Sequence, residues 1–209
     1  MRIDSLKTTP DRAGRYWVSF DDGSRIGLYR QTVEDFGLYT GKEFSEEEME
    51  ALLTAAGKMS AKMRAVRIVS ASSVSKKDLQ ERLVRKGEDP DQAAEAVAWM
   101  EEMHLVDDRN TAEQVVHSCI SKGYGLQRAK QALYEKRIPR QYWEEALEDY
   151  PDQMEKILSF LRSRLDADAD QKQIKKCIDA LIRRGHSYGK IREALNIISL
   201  DSEEFMEDF

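Results

Sequence analysis

Cysteine and proline are scarce: the 209 residues contain two cysteines and four prolines. Cys119 and Cys177 are isolated, and each falls on an apolar helical stripe. They are expected to be small core residues in a reducing cytosol, with no disulfide. There is no run of eighteen apolar residues, so no membrane-spanning helix is expected. The start, Met1-Arg2-Ile3-Asp4, lacks the basic-then-apolar pattern of a secretory signal, which predicts a cytoplasmic protein. Positive charge is also in deficit. With 33 Lys+Arg against 39 Asp+Glu the net charge is −6, which argues against a simple electrostatic coat on nucleic acid.

Reactive constellations are missing as well. His104, His117 and His186 are scattered, without the spacing of a metal site. Gly123-Tyr124-Gly125 has neither the Lys-Ser/Thr nor the preceding strand of a phosphate loop. Asp107-Asp108 is most simply a helix cap and dipole partner. No enzyme activity, metal or cofactor is therefore expected. What remains is a chain with 41% hydrophobic and 34% charged residues. That is too apolar for disorder and suits exposed helices with long charged faces.

Five of the eleven glycines fall in the first 41 residues. Arg15–Phe20 favours a strand, and Arg25–Tyr29 alternates polar and apolar residues. The intervening Asp22-Gly23 predicts a hairpin, since both residues tolerate positive φ. Residues 3–8 supply a third strand, because a lone hairpin is rarely stable. Beyond Gly41 the signal is helical. Ser45-Glu46-Glu47-Glu48 is a capping box opening a helix over 46–69. Further helices are predicted at 75–86, 90–104, 109–122, 126–136, 140–149, 152–165, 171–184 and 188–198.

Three segments repeat: Leu83–Gly87, Leu133–Arg137 and Leu181–Gly185. Each is followed by a matching pair, Ala96-Val97, Ala146-Leu147 or Ala194-Leu195. Gly87 and Gly185 suit the left-handed position after a helix, whereas Arg137 leaves room for a different turn in the middle copy. A period near 50 in three copies predicts a tandem array of three-helix units. The expected fold is mainly α: a small β-sheet, then three helix-turn-helix-like repeats in an elongated curved array. The predicted segments are a β part at 1–43, repeats at 44–105, 106–150 and 151–199, and an acidic tail at 200–209.

Basic residues gather at the repeated turns. The candidates for contact with a partner are Lys76, Lys77, Arg85 and Lys86; Lys136, Arg137 and Arg140; and Arg183, Arg184, Lys190 and Arg192. Solvated helix faces and helix C-termini account for about half or more of such residues. The recurrence points beyond that to a discontinuous positive track for a phosphate backbone or an acidic protein groove. The tail holds Asp201, Glu203, Glu204, Glu207 and Asp208 without one basic residue, and is expected to be a solubilising end. Without it the chain is close to neutral.

The chain resembles the RecX family, regulators of the RecA recombinase, over about residues 14–198. The resemblance rests on Gly14–Gly23, on Gly37-Leu38-Tyr39-Thr40-Gly41, and on Leu105-Val106-Asp107-Asp108 followed by Ala112. Lys122-Gly123-Tyr124-Gly125 and Arg183-Arg184-Gly185-His186-Ser187-Tyr188 carry it into the later repeats. Thr111, Arg137 and His186 depart from the family pattern. The resemblance implies a cytoplasmic monomer that binds RecA and its filament on single-stranded DNA, with some direct contact to that DNA. It further implies inhibition of recombinase, ATPase and coprotease activities, and a place in homologous recombination, DNA repair and the SOS response. The alternative is a helix-turn-helix regulator of duplex DNA, which the acidic helices 90–104 and 140–149 disfavour.

Overall fold

In the computed structural model, residues 1–165 and 169–198 are described. The predicted acidic tail lies outside them. Three strands come first: β1 (Ile3–Leu6), β2 (Arg15–Phe20) and β3 (Arg25–Tyr29), forming an antiparallel sheet in that order. The hairpin turn differs from expectation. Gly23 takes a φ of 84° and Asp22 does not follow it, so Asp21-Asp22-Gly23 forms a three-residue loop closed from Phe20 N–H to the Ser24 carbonyl. A short helix that the sequence did not announce, α1 (Arg30–Asp35), follows directly. Its exposed face carries the pairs Arg30 to Glu34 and Gln31 to Asp35, each four apart, and no side chain caps its start.

The chain divides into two compact units, Met1–Val106 and Asp107–Phe209. In the first, α2 (Glu46–Ala71) begins at the expected capping box, with Ser45 and Glu48 exchanging bonds. Its N-terminal half buries Met49 and Leu52 with Ile3, Val18, Phe20 and Leu28 of the sheet. Its C-terminal half buries Ala61 and Ala65 against α3 (Lys76–Arg85) and α4 (Pro90–Glu102). One helix thus serves both the sheet and the first three-helix set.

The second unit holds the other two sets. Helices α5 (Asp108–Ser121) and α6 (Leu126–Glu135) are followed by a 3-10 turn, Arg140–Tyr142, and a short α7 (Trp143–Leu147). The continuous helix expected over 140–149 is therefore broken and ends early. Pro139 starts the segment without a side-chain cap, and the Trp143 Nε1–H donates back to the Ile138 carbonyl. The third set is α8 (Met154–Arg162), α9 (Gln171–Arg183) and α10 (Tyr188–Ile197), around Ile157, Leu161, Ile178, Leu181 and Ile191. Cys119 and Cys177 are buried free thiols, and burial pushes both thiol pKa values up. No described helix is long and apolar enough to cross a membrane.

The repeated sequence segments become one repeated turn. Leu83, Leu133 and Leu181 are buried to within 1% of complete. Their carbonyls accept from the N–H groups of Glu88, Ile138 and His186, while Val84, Tyr134 and Ile182 accept from Gly87, Arg137 and Gly185. This pair of bonds satisfies carbonyls that a helix end leaves open, and it needs a left-handed residue. Gly87, Arg137 and Gly185 have φ of 91°, 57° and 85°. Arg137 thus does not alter the turn; it adopts the glycine conformation and bears the strain. Arg137→Gly should raise stability by up to about 1 kcal/mol, and Gly87→Ala, with open space around its added Cβ, should lower it by about 1 kcal/mol. Urea midpoints of the full chain check both.

Candidate functional site

Arg85 and Lys86, Lys136 and Arg137, and Arg183 and Arg184 lie at the C-terminal ends of α3, α6 and α9 or just beyond. Lys76 and Lys77 instead open α3, Arg140 begins the turn before α7, and Lys190 and Arg192 lie in α10. At the first turn Arg85 and Lys86 are exposed. Arg64 of α2 braces this turn: one guanidinium nitrogen donates to the Lys86 carbonyl at 2.7 Å and another pairs with Glu88 at 2.7 Å. Glu88 is 8% exposed and also accepts from the Ser60 hydroxyl, so this buried carboxylate is both paired and hydrogen-bonded. Lys77 is exposed, whereas Lys76 is tied to Glu101 at 2.7 Å.

At the second turn the guanidinium of Arg137 lies 6.0 Å from the centre of the Tyr134 ring, and that of Arg140 lies 5.5 Å from Trp143. Tyr134 is 56% exposed, so this turn presents a ring and cations together with Lys136. At the third turn Arg183 is exposed, and Arg184 stacks on Phe160 at 4.7 Å. Arg192 is exposed on α10. Lys190 is compensated twice, by Asp152 at 2.8 Å and Glu193 at 3.2 Å. Arg85 and Lys86, Lys136 and Arg137, and Arg183 and Arg184 adjoin in sequence at these turns. Lys76 and Lys190 serve intramolecular ion pairs.

The strongest geometry in the second unit joins its two sets. Helix α6 starts at Gly125, which offers no side-chain cap. Its open N–H groups are met by the end of α9 instead. Gly125 N–H donates to the Arg184 carbonyl at 2.9 Å, and Gln127 N–H donates to the Gly185 carbonyl at 3.3 Å. The positive end of one helix thereby meets the negative end of another, each satisfying the other's open groups. The backbones touch so closely that only glycine fits. A Cβ on Gly125 would sit 2.1 Å from the Gly185 oxygen, and one on Gly185 would sit 2.2 Å from the Arg128 nitrogen.

His186 completes this junction, its Nε2–H donating to the Gly123 carbonyl at 3.1 Å. Desolvation pushes its pKa down, opposed by that bond and aided by Arg184. The Tyr150 hydroxyl donates to the Tyr124 carbonyl at 2.7 Å, and burial pushes its pKa up to about 12. The Gly123–Gly125 segment, without a phosphate-loop context in sequence, is a docking strip for the third set. Asp107 caps α5 as expected, accepting from Arg109 and Asn110 N–H. Among the described residues no group of three or more His, Cys, Asp and Glu could hold a metal.

The fold is that of a helical repeat protein behind a small antiparallel sheet, with basic residues at its repeated turns. Residues 107–147 match the family described as "RecX, second three-helix domain". Over 201 residues the chain is 28% identical to a regulatory protein RecX of Clostridioides difficile (strain 630), covering 93% of each. It is 32% identical over 145 residues to a regulatory protein RecX of Chlorobaculum tepidum, spanning 68% of this chain and 89% of that one. A crystal structure of a regulatory protein RecX shares the fold with a TM-score of 0.61 at 20% identity, over 92% of this chain and 98% of that chain. The chain belongs to the RecX family of regulatory proteins.

Gly125→Ala and Gly185→Ala should each destabilise the second unit by about 3 kcal/mol, seen as a lower urea midpoint for the loss of helical circular dichroism. Because folding lowers the His186 pKa, the unfolded chain takes up its proton first. Stability should therefore be full above the ordinary value of 6.5 and fall as pH drops below it. Thermal melts between pH 8 and 5 should show this slope, and His186→Gln should flatten it.

Proposed function

We propose that this protein binds RecA and the RecA filament on single-stranded DNA, and that it restrains recombinase, ATPase and coprotease activity in the cytoplasm. Membership in a family of regulatory proteins over nearly the whole chain carries this reading. The turns of the three sets support it, since each offers cations at a similar place to a partner bearing phosphates or carboxylates. Their segments, 44–105, 106–150 and 151–199 behind a β part at 1–43, would act as successive contact units. Binding and restraint need no reactive cluster, so the protein would work as a monomeric non-enzyme without cofactor.

The competing role, a helix-turn-helix reader of duplex DNA, requires a basic helix for the major groove. Helix α4 carries Asp91, Glu95, Glu101 and Glu102 with no lysine or arginine. Helix α7 carries Glu144 and Glu145. Only α10 has Lys190 and Arg192, and Lys190 is held by Asp152 and Glu193. The acidic third helices of the first two sets thus count against duplex reading.

Sub-stoichiometric addition to RecA on single-stranded DNA should slow ATP hydrolysis. Unchanged hydrolysis and filament length at micromolar protein would refute the proposed role. Arg183→Glu, at an exposed position, should weaken filament binding by roughly threefold to tenfold and reduce its salt dependence while leaving the melting temperature intact. Equal affinity and salt slope would remove that turn from the contact.

A further inference from the structure

The sheet has two faces of opposite character. Alternation sends Val18, Phe20 and Leu28 into the core, and leaves Arg15, Trp17 and Ser19 of β2 with Arg25 and Gly27 of β3 on the other side. On this outer face the Trp17 ring is flanked by two guanidinium groups, Arg15 at 5.2 Å and Arg25 at 5.5 Å from its centre. Lys7 joins them from beyond β1, its N–H bonded to the Trp17 carbonyl and its side chain exposed.

Three details show that Trp17 and Arg15 are held in place. Asp11 accepts from Arg15 Nε at 3.1 Å and Nη2 at 2.9 Å, and from Trp17 Nε1 at 3.3 Å. Its other oxygen accepts the N–H groups of Ala13 and Arg15, which fixes the loop before β2. Gly27 stands opposite Trp17, and a Cβ there would lie 3.3 Å from the Arg15 stem. The bare backbone of Gly27 therefore leaves room for Arg15 to lie across β3. Asp11 neutralises Arg15, but among the described residues neither Arg25 nor Lys7 has a carboxylate partner. The face so presents a positioned indole beside two uncompensated cations.

We infer that this outer face is a binding surface for single-stranded DNA, with Arg25 and Lys7 on phosphates and a base against the Trp17–arginine stack. The occupant is set by complementarity. A single strand offers negative charge at regular intervals and flat rings that stack on indole and guanidinium groups alike. An acidic protein surface would satisfy the cations but would bring no flat ring to lie against the indole–guanidinium cluster. The inference extends the proposed filament role, on which it rests for its setting, and the following experiment separates the two.

The test is fluorescence anisotropy of the full chain with a fluorescein-labelled oligothymidylate and no RecA present. Arg25→Glu should weaken binding at least about threefold and cut the slope of log affinity against log salt by about one. Oligonucleotide binding should also quench tryptophan fluorescence, and Trp17→Phe should remove most of the quench although Trp99 and Trp143 remain. Unchanged affinity and salt slope in Arg25→Glu, or an undiminished quench in Trp17→Phe, would overturn the inference. So would a defect of Arg25→Glu confined to RecA-filament binding, since the face would then meet protein. Intact, Arg25-dependent oligonucleotide binding with no effect on RecA hydrolysis would instead uphold the surface and refute the filament role.

Discussion

A helix end leaves carbonyl groups without partners, and the way this chain closes its helix ends determines much of the rest. Six of the described helices, α1, α3, α4, α5, α6 and α9, stop with the same two backbone bonds. The left-handed residues are Gly37, Gly87, His104, Gly123, Arg137 and Gly185. Each closure turns the chain sharply while keeping its carbonyls bonded, so short helices follow one another across brief connections. The buried leucines Leu83, Leu133 and Leu181 anchor three of these closures, which puts the packing of the core and the direction of the chain under one local rule.

The same closures place the cations. A helix C-terminus favours positive charge in its last turn, and here Arg85, Lys136 and Arg183 sit beside the carbonyl end. Local electrostatics thus supplies a structural reason for basic turns. Arg64, Glu88 and Ser60 then brace the first turn, aromatic rings lie under Arg137 and Arg140 at the second, and Phe160 lies under Arg184 at the third. Three equivalent turns therefore have three different supports. The residue after each left-handed position shows the same divergence: Glu88, Ile138 and His186 are all buried, as an ion-pair member, an apolar group and a hydrogen-bond donor.

Most of this fold was legible in the sequence because its signals are local. Ser45, Asp89, Asp107 and Ser187 mark helix starts through caps formed within three residues, and apolar spacing identifies the stripes between them. Where the controlling interaction is not of that kind, the signal fails. Helix α1 has no side-chain cap to mark its start, and the break before α7 accompanies the Trp143 Nε1–H returning to the Ile138 carbonyl. Arg137 disguised a left-handed turn because its side chain says nothing of its φ. The candidate cations were found by clustering, but clustering could not show that Lys76 and Lys190 already serve Glu101 and Asp152. Still less visible was the contact of Gly125 with Gly185, which is made by backbone atoms far apart in sequence and leaves only two glycines as its trace.

Repeats are often pictured as interchangeable links, and that picture fails at this contact. In the repeat alignment the position of Gly125 is taken in the first set by Ser75. Ser75 is fully buried, and its hydroxyl caps its own helix by accepting the Asp78 N–H. A third set placed behind the first would press its Gly185 carbonyl against a side chain, and would find one of the helix's open donors already satisfied. The sets therefore carry addresses: shared architecture allows duplication, but the chemistry of one glycine pair forbids shuffling.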